Sequence, residues 1–583
     1  MIIKSLAVDN FRGITGGTEN NKISFDNKNA IFLFGQNNVG KSSFLRAYKV
    51  FYDDAISDSD FHFEGSKDIV IEIELQIDEA TEKEGVNQAT SNKFDHIKEN
   101  YLGPNGVLRL KKTWKHEDRG KKSQNETWNV KTEAWEQKAY AGIGWGNVFQ
   151  PLMMRPLFIN AMPTEQDVQT VVTEVLKEVA HSKLTKEKGA ILDGALSTIS
   201  RLQDEIYSKT DIDAYKADVN ERFELLFPGF KIDVDDGASR LKFTPDKIGK
   251  DFRVSFKDDA DNNNSHEQMG HGAVRMAIFL LMLMRDKLRG QTVAPKSFIV
   301  LFEEPELFLH PLLTKKLRAL TYEVSADNMP FQVLCASHSP QMIDISKDHT
   351  SLVRMTKDED GNTHLYQVAR EDLKNDEQKT NEDIKQKIYE ILRFDPFICE
   401  AFYADEVLLV EGDTEAILAR GYQQEHPGHR DVFVVNCHSV VNIPFYQKIF
   451  SKFNIPYSVI CDTDHVTKST GWDEKTEEPS FTSHVQKTIG DLYIQHKVDG
   501  FAKKFFVFAE NFEKCHQRLS GNFRFDTSNA SEGKPYMADR YWKQIRQHNT
   551  DPGYNQIPVI KYFEAIFDKP ITAESDTAEG TES

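Results

Sequence analysis

"EVLLVEGDTEAILAR", residues 406–420, decides how the second half of the chain is read. Val407 to Val410 is an apolar run of the length of a buried strand. It stops abruptly at Glu411, Gly412 and Asp413. Glu415 follows, and apolar residues then return at helical spacing. Glu411 ends the strand, Gly412 turns the chain, and Glu415 falls in the first turn of a helix, where the dipole favours an acid. On these residues alone, an exposed strand end and a helix N-terminal acid remain as good a reading as a metal site.

The residues downstream change that balance. "YSVICDTD", 457–464, is another apolar strand, and it ends in Asp462 and Asp464. In a parallel α/β sheet, ligand groups gather at the carboxyl ends of the strands. Glu411, Asp462 and Asp464 can therefore meet at one edge. Three or four carboxylates together require divalent cations, and an all-oxygen donor set favours Mg²⁺ or Mn²⁺. From about 404 the order strand, helix, strand, helix, strand describes a compact α/β unit.

A different acidic strand end stands about a hundred residues earlier. "SFIVLFEEPELFLHP", 297–311, runs into Glu303 and Glu304. Its partner is "GQNNVGKS", 35–42, which fits the GxxxxGK[ST] pattern between the strand "NAIFLFG" and the helix "SSFLRAYKVFY". Backbone N–H groups from Gly35 through Asn38 and Gly40 to Ser43 are expected to cradle the phosphates of ATP. Lys41 would reach the β and γ phosphates, and Ser42 would ligate Mg²⁺. Glu303 is expected to hold that Mg²⁺ through water, and Glu304 to orient the attacking water. His338, in "SHSP" after the next apolar strand, is a candidate γ-phosphate contact. "QMGHGAVR", 268–275, opens a long helix (Ala273 to Leu288), and Gly270 and Gly272 in it allow close backbone approach. As a bare pattern it is weak.

Composition excludes several classes. The net charge of -19 over 583 residues rules out a wholly basic nucleic-acid coat, though not a local basic groove. The five cysteines lie far apart with no CxxC spacing, which argues against a zinc knuckle and for a reduced, cytoplasmic protein. "MIIKSLAVDNFRGI" reads as a strand rather than a signal peptide. The apolar stretch Ala277 to Met284 is too short to span a bilayer, so no membrane partner is expected.

The domain order follows from changes in pattern. Residues 1–162 are strands around one helix, with "RLKKTW" and "ETWNVKT" as a hairpin. Residues 163–228 are helical, either a cap or a dimerising arm. Residues 229–400 return to strands and end in the charged stretch "REDLKNDEQKTNEDIKQK". Residues 401–570 form the second α/β unit, and 571–583 is an acidic tail expected to be disordered.

"VDNFRGI", the phosphate loop, "QMGHGAVR", "FIVLFEEPE" and "SHSP", in that order, resemble ABC-type ATPases of the SMC kind. The resemblance implies a homodimer or higher homo-oligomer whose glycine-rich signature completes the partner's ATP site. The signature departs from LSGGQ, and no Q-loop stands out, Gln150 being one candidate. "VEGDTEAIL" and "CDTD" resemble a Toprim domain. Behind such an ATPase, that domain is similar to the OLD (overcoming lysogenization defect) family of endonucleases. The fold implied is α/β throughout: an ABC-type ATPase domain with a helical insertion, then a Toprim domain with a parallel sheet core.

The same resemblance implies cleavage of DNA with two metals and a role in anti-phage defence, alone or beside a helicase or a reverse transcriptase of a retron. Glu513, with Glu510 as its rival, is carried over as a late metal ligand, and Lys534 in "EGKPYMADRYW" as a catalytic lysine. Glu411 and Glu415 would be metal ligands beside Asp462 and Asp464. One departure is plain: where the family often has glycine after the second Toprim strand, this chain has Cys437, His438 and Ser439. The alternative reading is an ATP-gated DNA-binding or repair protein of the SMC or RecF type without nuclease activity.

Overall fold

The computed structural model describes residues 2–26, 28–62, 67–77, 98–118, 122–137, 153–161, 169, 209–235, 253–258, 263–264, 266–283, 298–324, 331–344, 350–369, 372, 398–427, 432–462, 502–508, 510–528 and 533–568. The chain divides into two compact units, Met1–Arg370 and Glu371–Ser583. The division falls at the start of the charged stretch on which the sequence boundary at 400 rests. Gln150, Asp464, the acidic tail and most of the helical segment 163–228 lie outside the described residues.

Among the described residues, the first unit holds three sheets. Strands β1 (Ile2–Asp9), β2 (Lys22–Ser24), β4 (Ile69–Gln76), β5 (Val107–Trp114), β6 (Gln124–Asn129) and β7 (Ala134–Glu136) form an antiparallel sheet in the order β2-β1-β4-β5-β6-β7. β4 and β5 alternate buried and half-buried residues, as a sheet with one covered face requires. The hairpin read from "RLKKTW" and "ETWNVKT" is β5 paired with β6.

The second sheet combines β3 (Ala30–Phe34), β8 (Arg155–Ile159), β12 (Phe298–Glu303), β13 (Phe331–Ala336), β14 (Thr350–Lys357) and β15 (Thr363–Ala369), ordered β15-β14-β3-β13-β12-β8. All neighbours are parallel except β14 and β15. β3, β12 and β13 are buried along their whole length, which is why each reads as an unbroken apolar run. Helix α1 (Lys41–Asp53) touches strands of both sheets, and its Phe44, Leu45, Tyr48 and Phe51 share one core with them. The strands β9 (Phe230–Asp235), β10 (Arg253–Asp258) and β11 (Asn263–Asn264) make a small antiparallel sheet. Helices α2 (Lys209–Glu224), α3 (His266–Leu283) and α4 (Pro311–Val324) complete the described part.

The second unit is a parallel sheet, β17-β16-β18-β19, built from β16 (Val407–Val410), β17 (Phe433–Asn436), β18 (Tyr457–Asp462) and β19 (Ala502–Phe508). Helices α5 (Asp413–Glu425) and α6 (Ile443–Lys452) connect the first three strands. Among the described residues, three more follow: α7 (Phe512–Gln517), α8 (Lys534–Arg546) and α9 (Pro558–Phe567). α8 and α9 pack on α5 around Tyr422, Trp542 and Phe563. Among the described residues, no helix is long and apolar enough to cross a membrane.

Candidate functional sites

Because β3, β13 and β12 are parallel neighbours, their carboxyl ends share one edge. β3 leads into the loop 35–40. Gly35 has φ 136°, and a Cβ there would run into the Met355 carbonyl oxygen, so the loop cannot start on any other residue without moving β14. Asn38 is also left-handed, at φ 64°. Lys41 is the first residue of α1 and is buried. Its Nζ donates to the carbonyls of Gly35 (2.9 Å) and Gln36 (2.6 Å). Burial lowers its pKa to about 8, against the pull of Glu304 and Glu306. Ser42 and Ser43 follow in the first turn, both half-buried.

Glu303 closes β12. It is buried, 3.8 Å from the Arg46 guanidinium. Glu304 has φ 42°, a conformation costly for a residue with a Cβ, and its N–H donates to the Ala336 carbonyl at 2.8 Å. His338 Nε2 lies 3.7 Å from Glu304 Oε1. Burial and Lys41 both hold the imidazole below its usual range, Glu304 opposing, which keeps it neutral near pH 7. Lys41, Glu303, Glu304 and His338 thus come together, as the motifs require.

Two residues here were not singled out from sequence. Glu306 accepts from Ser337 Oγ (3.0 Å) and from the His338 N–H (2.6 Å), so it fixes the turn that carries the histidine. Arg275, buried in α3, donates to the carbonyls of Asn160 (3.2 Å), Glu304 (2.6 Å), Leu307 (3.0 Å), Glu303 (3.4 Å) and Ala161. It ties the helix to the acidic turn and to the end of β8. Its position in "QMGHGAVR" was legible; its role as a tie was not. α3 begins at His266, so Gly270 and Gly272 lie within its turns rather than at its open end. Gly272 packs so closely that a Cβ would stand 2.9 Å from the Phe308 carbonyl oxygen. The surroundings of Gly270 lie outside the described residues.

The second edge belongs to the parallel sheet of the other unit. Glu411 follows β16, and its Oε2 accepts the Asp462 N–H at 3.0 Å from the end of neighbouring β18. Asp462 Oδ1 accepts the Phe512 N–H at 2.9 Å, at the start of α7 beyond β19. Three strand ends are therefore fastened together through two carboxylates. Gly412 is the extended N-cap of α5, and Glu415 lies in its first turn, buried. Burial raises the Glu415 carboxyl to about 7. Glu411 and Glu513 add to the rise, and Lys534 counters it. Lys534 Nζ stands 3.5 Å from Glu513 Oε1. Glu513, Asp462 and Glu415 all raise its pKa.

Glu510 and Glu513 differ in their partners. Glu510 pairs with Lys514 and Arg518, whereas Glu513 faces Lys534 and acts on Glu415. His438, standing where glycine was expected, has φ 57°, the backbone conformation glycine adopts most readily, and its N–H donates to Asn436 Oδ1 at 2.8 Å.

The donors at this edge suit a divalent cation. Every one is a carboxylate oxygen, and the pKa of one acid, Glu415, is raised to about 7 by burial first and by the charges of Glu411 and Glu513 second, a penalty that a bound dication would offset. Among the described residues, no three acids already stand in gripping geometry. Asp464 is outside them.

Comparisons with known proteins agree with this division. The AAA_15 family model, an AAA ATPase domain, matches residues 1–343. The model "Overcoming lysogenization defect protein-like, TOPRIM domain" matches 402–464. The Old nuclease of Escherichia phage P2 is 23% identical over 552 residues, covering 84% of this chain and 86% of its own. Endonuclease GajA of Bacillus cereus (strain VD045) is 24% identical over 438 residues, 72% of this chain and 67% of its own. A solved SMC head bound to the C-winged helix domain of ScpA is 14% identical and covers 63% of this chain and 98% of that one. Its TM-score of 0.39 is too low to argue from.

Fold, edges and matches define an ATPase unit followed by a TOPRIM unit. The chain belongs to the AAA ATPase domain family, and its second unit carries the match to the overcoming lysogenization defect protein-like TOPRIM model over residues 402–464.

Proposed function

We propose that this chain is an ATP-regulated, divalent-metal-dependent DNA endonuclease of the cytoplasm that serves in anti-phage defence. The observation that carries the reading is the joining of Glu411, Asp462, Glu415, Glu513 and Lys534 at one edge of a parallel sheet. It is supported by relatives named nucleases.

Glu411, Glu415, Asp462 and Glu513, with Asp464, would hold Mg²⁺ or Mn²⁺. Such ions supply water activation and steadying of the leaving 3′ oxygen. Lys534 offsets the charge that grows on the scissile phosphate. The hydrogen bonds from the Asp462 and Phe512 N–H groups hold Glu411 and Asp462 in place before substrate arrives.

In the other unit, Gly35, Asn38, Gly40, Lys41, Ser42 and Ser43 would bind ATP. Ser42 and Glu303 would hold its Mg²⁺, Glu304 would orient water, and His338 would contact the γ phosphate. Gly270 and Gly272 are read as part of the site completed in a homodimer. A helicase or retron reverse transcriptase remains part of the reading as a partner class. ATP acts here as a conformational signal, favouring one state of the chain over another.

The test is plasmid cleavage with Mg²⁺ or Mn²⁺, with and without ATP, by wild type, Glu411→Ala and Lys41→Ala. Cutting by Glu411→Ala at the wild-type rate would remove the TOPRIM assignment. Cutting by Lys41→Ala with an unchanged ATP response would remove nucleotide control. No nicking under either metal would leave the ATP-gated DNA-binding reading in its place.

A further inference from the structure

The chain is strongly acidic, yet between Lys514 and Arg546 it has seven Lys and Arg against three Asp and Glu. This stretch adjoins the carboxylate edge. α7 begins at Phe512, whose N–H binds Asp462, and α8 begins at Lys534, beside Glu513. The cations are well exposed: Lys514 by 57%, Arg518 by 55% and Lys534 by 69%. Arg540 reaches across to Asp526, in the same loop as Arg524, which binds the loop to α8. The acid partners of Lys514, Arg518 and Lys534, namely Glu510 and Glu513, are largely covered, so each pair keeps its cationic end in solvent, where it can turn to phosphate oxygens.

One side chain in the strip is not explained by charge or packing. Tyr536 is 55% exposed, two residues after Lys534, while Met537, Ala538, Tyr541 and Trp542 of the same helix are buried. An exposed aromatic ring within a cationic strip is the arrangement that holds unpaired bases, since every base offers a face to stack on.

We propose that the strip from Lys514 to Arg540 is the surface on which DNA lies when the carboxylate edge acts, and that Tyr536 stacks on a base unpaired beside the scissile phosphate. The substrate class is thereby DNA with locally unpaired strands rather than fully paired duplex. This rests on the nuclease reading above for the position of the scissile phosphate.

The test uses the full chain and fluorescence anisotropy in Ca²⁺. The probes are a fluorescein-labelled duplex and the same duplex with a central run of unpaired bases. Wild type binds the unpaired probe more tightly. Tyr536→Ala loses about tenfold for that probe, the worth of one stacked base, and with it the preference. Tyr536→Phe keeps the preference. Lys514→Glu with Arg518→Glu weakens both probes alike and flattens the salt dependence. Equal binding of the two probes by wild type, a preference that survives in Tyr536→Ala, or wild-type affinity in the double charge reversal overturns the proposal. The nuclease reading is measured separately, by nicking and its loss in Glu411→Ala, so either can fail while the other stands.

Discussion

The backbone N–H of Asp462 donates to Glu411 Oε2 at 3.0 Å, so the acid that ends one strand is positioned by the acid that ends its neighbour. The carboxylate thus serves as a structural acceptor and as a candidate ligand at once. Glu411→Gln keeps an acceptor oxygen for the N–H but removes the charge. It is expected to fold with near wild-type stability and to lower the nicking rate at least a hundredfold, measured on supercoiled plasmid. A stable Glu411→Gln protein that still cuts would show that the charge is not needed.

Glu415 makes metal binding and pH interdependent. Its folded pKa of about 7 lies above the ordinary glutamate value of 4.5, so the stability linked to it is present at low pH and is lost as pH rises through 7. A divalent cation removes that penalty. Mg²⁺ should therefore raise the unfolding temperature more at pH 8 than at pH 5, and Glu415→Gln should abolish the difference. Thermal unfolding at the two pH values, with and without Mg²⁺, decides it.

His516 works in the opposite direction. It is buried, with Phe512 stacked on it. Its Nδ1 lies 2.8 Å from the Phe512 carbonyl, and its Nε2 accepts the Val559 N–H at 3.3 Å. Burial lowers its pKa from 6.5 to about 4. The contribution is present in full above 6.5 and is lost as pH falls towards 4, up to about 3 kcal/mol. The windows of His516 and Glu415 overlap with opposite sign. Each is thus read from the difference between wild type and its own variant, His516→Phe or Glu415→Gln, and not from the wild-type profile. Parallel pH profiles for wild type and His516→Phe would refute the assignment.

Arg275 is expected to matter for hydrolysis more than for nucleotide binding. Arg275→Met leaves several buried carbonyls unsatisfied and should cost about 3 kcal/mol or more. Arg275→Lys restores part of the bonding and is the better probe. It should bind ATP nearly as wild type but hydrolyse it about tenfold more slowly, because the Glu303–Glu304 turn loses its tie. Equal losses in KM and kcat would point to a general packing role instead.

Much of this was legible because the strands that lead into both candidate sites are parallel and buried. Buried parallel strands read as unbroken apolar runs, and the candidate site residues sit where the run breaks, at Gly35, Glu303, Ser337, Glu411 and Asp462. What lay out of reach was set by contacts between distant segments. Nothing near Glu510 or Glu513 in the sequence says which one meets Lys534. Arg275 looked like the end of a glycine-rich motif, and only the fold brings five carbonyls around it. The left-handed backbone at His438 was hidden because histidine does not advertise that conformation as glycine does.

The carboxylate edge and its lysine are stitched from β16, β18, the segment after β19 and the first turn of α8, in that order along the chain. During synthesis, the ATP-handling unit leaves the ribosome first, and the acids of the second edge follow without their lysine. On the proposed reading, a nascent chain therefore carries its nucleotide switch before its carboxylate edge has its lysine, and a chain broken before Lys534 would keep the ATPase without a complete nuclease edge.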